Sequence, residues 1–230
     1  MKFSSLALSL TLALCVHTAL AADTAVSTYT EESSLVSIKA TWQRSGLHRP
    51  DNDSDTLVRD AVSSFRATAA QDQKELRKLR AEEPDIPVHP SEMILEGTLS
   101  DNGKVTGMLW KDYQYLGGAH GNLAVFSRNY TSSDGRPVGL NDLFRKPGKA
   151  VQLFSELTRK ELAKRDLPQD MVKDGTAPEA ENFQTFLLEK DGITLYFSPY
   201  QVAPWSEGVV SVTLTLRELA AAEPYTAYWK

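Results

Sequence analysis

Three dipeptides constrain this chain more than any other feature: Asn102-Gly103, Asp134-Gly135 and Asp191-Gly192. Asn, Asp and Gly tolerate positive φ, and such a pair between apolar-rich runs is the strongest local signal for an antiparallel hairpin. Met93, Leu95 and Leu99 precede the first pair, and Val105, Leu109 and Trp110 follow it on a strand that runs to Tyr115. The second turns a strand over residues 122–131, carrying Ala124, Phe126 and Tyr130 on one face, toward Val138 and Leu140. The third joins residues 183–188 to Ile193, Leu195 and Phe197. A two-residue period adds strands over 35–43 and through Val210, Val212, Leu214 and Leu216. Hairpin connections on this scale predict an α+β fold of mostly antiparallel sheets, not a wound parallel one.

Two main helices are expected to pack on those sheets. Val58, Ala61, Val62, Phe65 and Ala69 fall at helical spacing, with Asp53 or Ser54 placed to cap the first amides. Lys74, Arg77, Lys78 and Arg80 gather where the helix dipole favours positive charge, and Pro84 and Pro87 stop the helix. After Pro147, Ala150, Leu153, Phe154 and Leu157 form a second stripe. Residues 167–181 are polar and contain Pro168 and Pro178, which reads as a surface loop.

The N-terminus has the order of a secretory signal: Lys2, an apolar run from Leu6 to Val16, then Ala19-Leu20-Ala21. Residues 1–22 are therefore expected to be a signal peptide, cleaved after Ala21 or Ala22, with 23–34 a flexible leader. Cys15, the one cysteine of the 230 residues, is preceded by Leu14, unlike a lipid-attachment site. The mature chain then has no disulfide, thiol nucleophile or Cys-held metal. Loss of Lys2 takes the formal charge from −5 to −6, which argues against nucleic acid as a partner. The expected product is exported, periplasmic or secreted, with no stable membrane anchor. Domain parts are expected at 35–112 and 113–230.

Two segments stand out. In Tyr113 to Gly121, Gly117, Gly118 and Gly121 surround His120, so the backbone bends there or something approaches it closely. His120 is either a general base or metal ligand held on a turn, or a histidine bonded to a nearby carbonyl in a strand break. The chain's other histidines beyond the signal, His48 and His89, do not lie at zinc-site spacing, so neither a metal nor a cofactor is expected. No nucleophile elbow, Walker loop or Ser-x-x-Lys motif is present, and nothing in the sequence requires an enzyme. In Ser198 to Gly208, Pro199 and Pro204 set Tyr200, Val202 and Trp205 on a stiff loop. These aromatics either roof the core or form a platform for a partner. Tyr200, close behind the strand ending at Phe197, is expected to face inward, and Trp205 to be the contact residue.

Taken together, the Tyr113 to Gly121 segment, Asp134-Gly135-Arg136-Pro137-Val138 through Phe144, and Phe186 through Gly208 resemble one bacterial domain family. It is the extracytoplasmic domain of unknown function found in the lysozyme-sensing anti-sigma factor RsiV and beside the catalytic module of PdaC-type deacetylases. The resemblance runs from about Leu35 to Leu219 and implies an α+β binding or sensory domain. The signal order stands where RsiV-like proteins have a sigma-binding segment and membrane helix, so no anti-sigma role is expected. The leading expectation is an exported binding module for a cell-envelope partner, a lysozyme-like protein or peptidoglycan, using Tyr115, His120, Tyr200 and Trp205. The alternatives are an envelope hydrolase using His120 and a structural accessory subunit.

Overall fold

The structure is a computed structural model that describes residues 25–83 and 89–229. The expected signal peptide over 1–22, Cys15, and the helix-stopping Pro84 and Pro87 lie outside the described residues. A five-stranded sheet runs in chain order through β1 (Val26–Glu32), β2 (Val36–Gln43), β3 (Ser91–Asp101), β4 (Val105–Tyr115) and β5 (Asn122–Thr131). A three-stranded sheet holds β6 (Phe186–Glu189), β7 (Gly192–Phe197) and β8 (Val210–Thr215), again in chain order. Every pair is antiparallel except β2–β3. That exception has a cause: the long helix α1 (His48–Glu82) carries the chain back across the sheet, the connection a parallel pair requires.

Each sheet has its own apolar core. Ile38, Ala40, Met93, Leu95 and Trp110 point from the large sheet at Val58, Val62, Phe65 and Ala69 of α1. Helix α3 (Pro147–Leu162) lays Ala150, Phe154 and Leu162 on Ile193, Leu195, Phe197 and Leu214. The short helices α2 (Leu140–Leu143) and α4 (Gln169–Gly175) close this second core. Among the described residues no helix is long and apolar enough to cross a membrane.

The sheets meet along β5. Its side chains serve the backbone of the second sheet: Asn129 Nδ2 donates to Phe186 O at 2.9 Å, and Ser127 Oγ accepts from Phe186 N at 2.9 Å. Tyr130 ties β5 to α1 by donating to Asp53 at 3.0 Å. Burial, then that bond, push the Tyr130 phenol up to about 12.

Several expectations are corrected here. Residues 26–32 of the expected flexible leader form an edge strand, because every residue from Val26 to Glu32 pairs with β2 whatever its polarity. Strand β4 runs through residues 112 and 113, so the sheets divide after Thr131 instead. Helix α1 starts at His48, ahead of Asp53 and Ser54, since Pro50 is tolerated in a first turn where its missing N–H has no acceptor. Asp51 braces that entry by accepting from Ser45 N at 2.7 Å and Gly46 N at 3.2 Å. The expected surface loop at 167–181 contains α4, whose Val172 is buried. Asp134-Gly135 makes a turn with only one bridge after it, Tyr130 to Pro137, since Pro137 offers no N–H for a ladder.

Candidate functional site

Strand β4 ends at Tyr115, and the chain bends at once through Gly117 (φ 93°) and Gly118 (φ 145°). Those angles suit glycine alone among ordinary residues. Tyr115 braces the bend by donating from its hydroxyl to Gly118 O at 3.1 Å. Gly121 serves differently: a Cβ there would sit 2.5 Å from the Tyr113 ring, so the ring closes over bare backbone. This geometry presents His120, an exposed residue, at the tip.

The second segment leaves β7 at Phe197. Ser198 Oγ fixes its start by accepting from Val125 N of β5 at 3.0 Å. Tyr200 then takes φ 70°, a left-handed conformation that is costly for a bulky side chain. Val202 and Ala203 turn into the core, 0% and 1% exposed, and Trp205 begins a single 3-10 turn through Glu207.

These two segments meet. The Tyr200 hydroxyl lies 3.2 Å from His120 Nε2, and the Trp205 ring centroid lies 5.0 Å from that of His120 at 31°. His120 Nδ1 lies 2.9 Å from Gly121 O, and a carbonyl only accepts, so Nδ1 carries a proton. That leaves Nε2 to meet Tyr200. Among the described residues neither ring nitrogen bonds to a carboxylate. Among the described residues no group of three or more His, Cys, Asp or Glu is placed to hold a metal ion.

Sequence-predicted residues therefore divide. His120, Tyr200 and Trp205 form one cluster. Tyr115 makes no ring contact with it among the described residues and instead shapes the turn. The expected orientation of Tyr200 is reversed: it is 56% exposed, while Trp205 is only half-buried and its buried indole N–H has no acceptor among the described residues. The reason is the left-handed turn at Tyr200, which breaks the alternation carried over from β7.

The sequence reading missed the brace beneath the loop. Gln201 donates from Nε2 to Gly175 O at 3.2 Å and to Asn182 O at 3.0 Å. Gly175 has to be glycine, since a Cβ would lie 1.8 Å from Gln201 O. The available signal was a glycine closing a polar stretch. Asp112 stands apart, opposite Leu95 in the ladder, where burial raises its carboxyl above the usual range against the lowering bond from Gln114.

Residues 141–217 match the model of a family described as "Protein of unknown function (DUF3298)". The match contains Tyr200 and Trp205 and leaves His120 outside. The chain is also 31% identical over 150 residues to "Peptidoglycan-N-acetylmuramic acid deacetylase PdaC" of Bacillus subtilis (strain 168), an alignment covering 62% of this chain. It spans about a third of that protein, 32% of its length. A crystal structure of a DUF3298 family member from Bacteroides fragilis superimposes with a TM-score of 0.62 at 15% identity, covering 88% of this chain and 94% of that one. Another, from Pseudomonas aeruginosa PAO1, gives 0.58 at 13%, covering 90% and 96%. At such identities the likeness concerns the fold alone.

Proposed function

We propose that this protein is an exported binding module of the cell envelope that holds peptidoglycan against the His120–Tyr200–Trp205 face. One observation carries the reading: two loops, 80 residues apart at the Tyr200–His120 contact, set three rings side by side at the surface. The C–H face of a pyranose is apolar, and it packs on aromatic rings by burial and dispersion. Pro199 and Pro204 stiffen the loop that carries Tyr200 and Trp205 beforehand, which lowers the ordering cost of binding. The name of the Bacillus subtilis relative points to the same polymer, and the signal order of residues 1–22 supplies the route out of the cell.

The test is cosedimentation of the purified chain with insoluble peptidoglycan. Depletion from the supernatant is expected, with clear loss in Trp205→Ala and His120→Ala variants that remain folded. No depletion, or depletion indifferent to both changes, overturns the reading. A second reading has its own support in the formal charge of −5 and the resemblance to RsiV: the partner is a basic, lysozyme-like protein. That reading requires binding in the absence of glycan, weakening steeply with salt.

A further inference from the structure

A cleft of about 650 Å³ opens at the other end of β4. Three segments wall it: the β3–β4 turn with Lys104, the stretch after β5 with Ser132, Ser133 and Arg136, and the C-terminal stretch with Tyr225 and Tyr228. At ~3.3 Å per residue, the eleven residues of β4 set it roughly 33 Å from the His120 end. It is a separate place, and nothing in the proposed function uses it.

The three walls are fastened to one another. Ser132 N donates to Lys104 O at 2.8 Å, and Ser132 Oγ lies 2.8 Å from Thr106 Oγ1. Asn102 donates from Nδ2 to Tyr228 O at 2.9 Å and accepts at Oδ1 from Lys104 N and Val105 N, each at 2.9 Å. Arg136 Nη2 donates to the Tyr228 hydroxyl at 3.0 Å. The Arg145 guanidinium lies 4.9 Å over the Tyr225 ring. A cleft so tied keeps its shape without a ligand, as small-molecule sites usually do.

Its charge runs against the chain's. In a protein of net charge −5, Lys104 and Arg136 place two cations here against one carboxylate of the lining, Asp142. The carboxylates in and beside the cleft also accept local hydrogen bonds. Asp142 accepts from Gly139 N at 2.8 Å, Asp101 from Gly103 N at 2.6 Å and Ser132 Oγ at 3.3 Å, and Asp134 from Thr131 Oγ1 and Arg136 N. Among the described residues no carboxylate forms an ion pair with Lys104. Apart from Asp142, Gly103 and Ala227, the rest of the lining is hydroxyl and aromatic, the mixture a polyhydroxylated ring requires and a bare anion does not.

We propose that this cleft binds a sugar bearing a free carboxylate. The anion lies between Lys104 and Arg136, its hydroxyls meet Ser132 and Ser133, and its ring lies against Tyr225. Charge-assisted bonds to the carboxylate give the discrimination, and the tyrosine ring supplies contact area.

The experiment is a titration of the full chain, followed by amide NMR shifts, with three probes: N-acetylmuramic acid, N-acetylglucosamine and inorganic phosphate. The first two differ by the lactyl ether that carries the carboxylate. N-acetylmuramic acid is expected to move the Lys104, Ser132 and Ser133 amides and to bind about tenfold more tightly than either other probe. Lys104→Gln and Tyr225→Ala should each weaken it about fivefold or more. Equal affinity for the two sugars overturns the proposal, as do phosphate binding equal to the acid sugar and indifference to Lys104→Gln. Shifts confined to His120 and Tyr200 would place the sugar at the other site and likewise overturn it.

Discussion

The loop from Ser198 to Gly208 has two sides with opposite fates. On one, Val202 and Ala203 are sealed in the core at 0% and 1% exposure, and Gln201 hangs from Gly175 and Asn182. On the other, Tyr200 is 56% exposed at a strained φ of 70°, and the Trp205 ring lies tilted against His120. The inward side makes the outward side possible. A short segment without a strand ladder holds aromatics at a fixed angle only when its alternate residues are anchored. The two sides should therefore answer mutation differently, the inward one in stability and the outward one in affinity.

The largest effect is expected beneath the loop. Gly175→Ala puts a Cβ 1.8 Å from Gln201 O, and backbone, not a flexible side chain, has to move. Destabilisation of about 3 kcal/mol or more should appear in denaturant unfolding. Partner binding should fall with it, because the outward side rests on this contact. Native-like stability would mean that the loop is not seated on α4, and the comparison would break.

Trp205→Ala comes next and should read mainly in affinity. A central aromatic anchor is worth about 2 kcal/mol of binding, roughly thirtyfold in Kd. Because Trp205 is only half-buried, unfolding should shift by less, about 1 kcal/mol. Calorimetry and thermal melting on one preparation separate the two, and a larger loss of stability than of affinity would make Trp205 a roof over the core. Gln201→Ala is the inward counterpart. Losing its bonds to Gly175 O and Asn182 O should cost about 1 kcal/mol in stability, with binding per folded molecule nearly intact.

How much of this could be read from the residues follows from what is local. The hairpins at Asn102-Gly103 and Asp191-Gly192 were legible because turn chemistry lies within two residues, and the α1 stripe because helical period lies within a dozen. Strand β1 was not, since its Ser, Thr and Glu positions show no apolar face and its partner supplies the order. Helix α4 hid among prolines and charges, with Val172 and Gly175 its only buried positions. Both halves of the aromatic cluster were visible as unusual segments, yet nothing in either predicts that they touch. The contact spans 80 residues and depends on how the second sheet sits on β5. The Lys104–Arg136 cleft had still less signal, being assembled from three segments of ordinary composition.

The smallest expected effect is also the one with an unusual sign. Tyr200 occupies a left-handed backbone conformation that glycine adopts freely, while its ring is 56% exposed and its hydroxyl meets His120 at 3.2 Å. Tyr200→Gly removes the backbone strain, worth about 1 kcal/mol or more for a bulky residue. It gives back part of that through the freer unfolded chain, about 0.5 kcal/mol, and a little through the lost exposed contact. The net should be a slight gain in stability, about 0.5 kcal/mol, visible as a rise of roughly 1–2 °C in Tm. Affinity for the envelope partner should fall in the same variant, because an exposed ring of the proposed binding face is gone. If the costly conformation is kept to hold that side chain outward for contact, stability and function move in opposite directions. If Tyr200→Gly instead lowers Tm and leaves affinity untouched, Tyr200 belongs with Val202 and Ala203 as structure, and only Trp205 and His120 remain on the outward side.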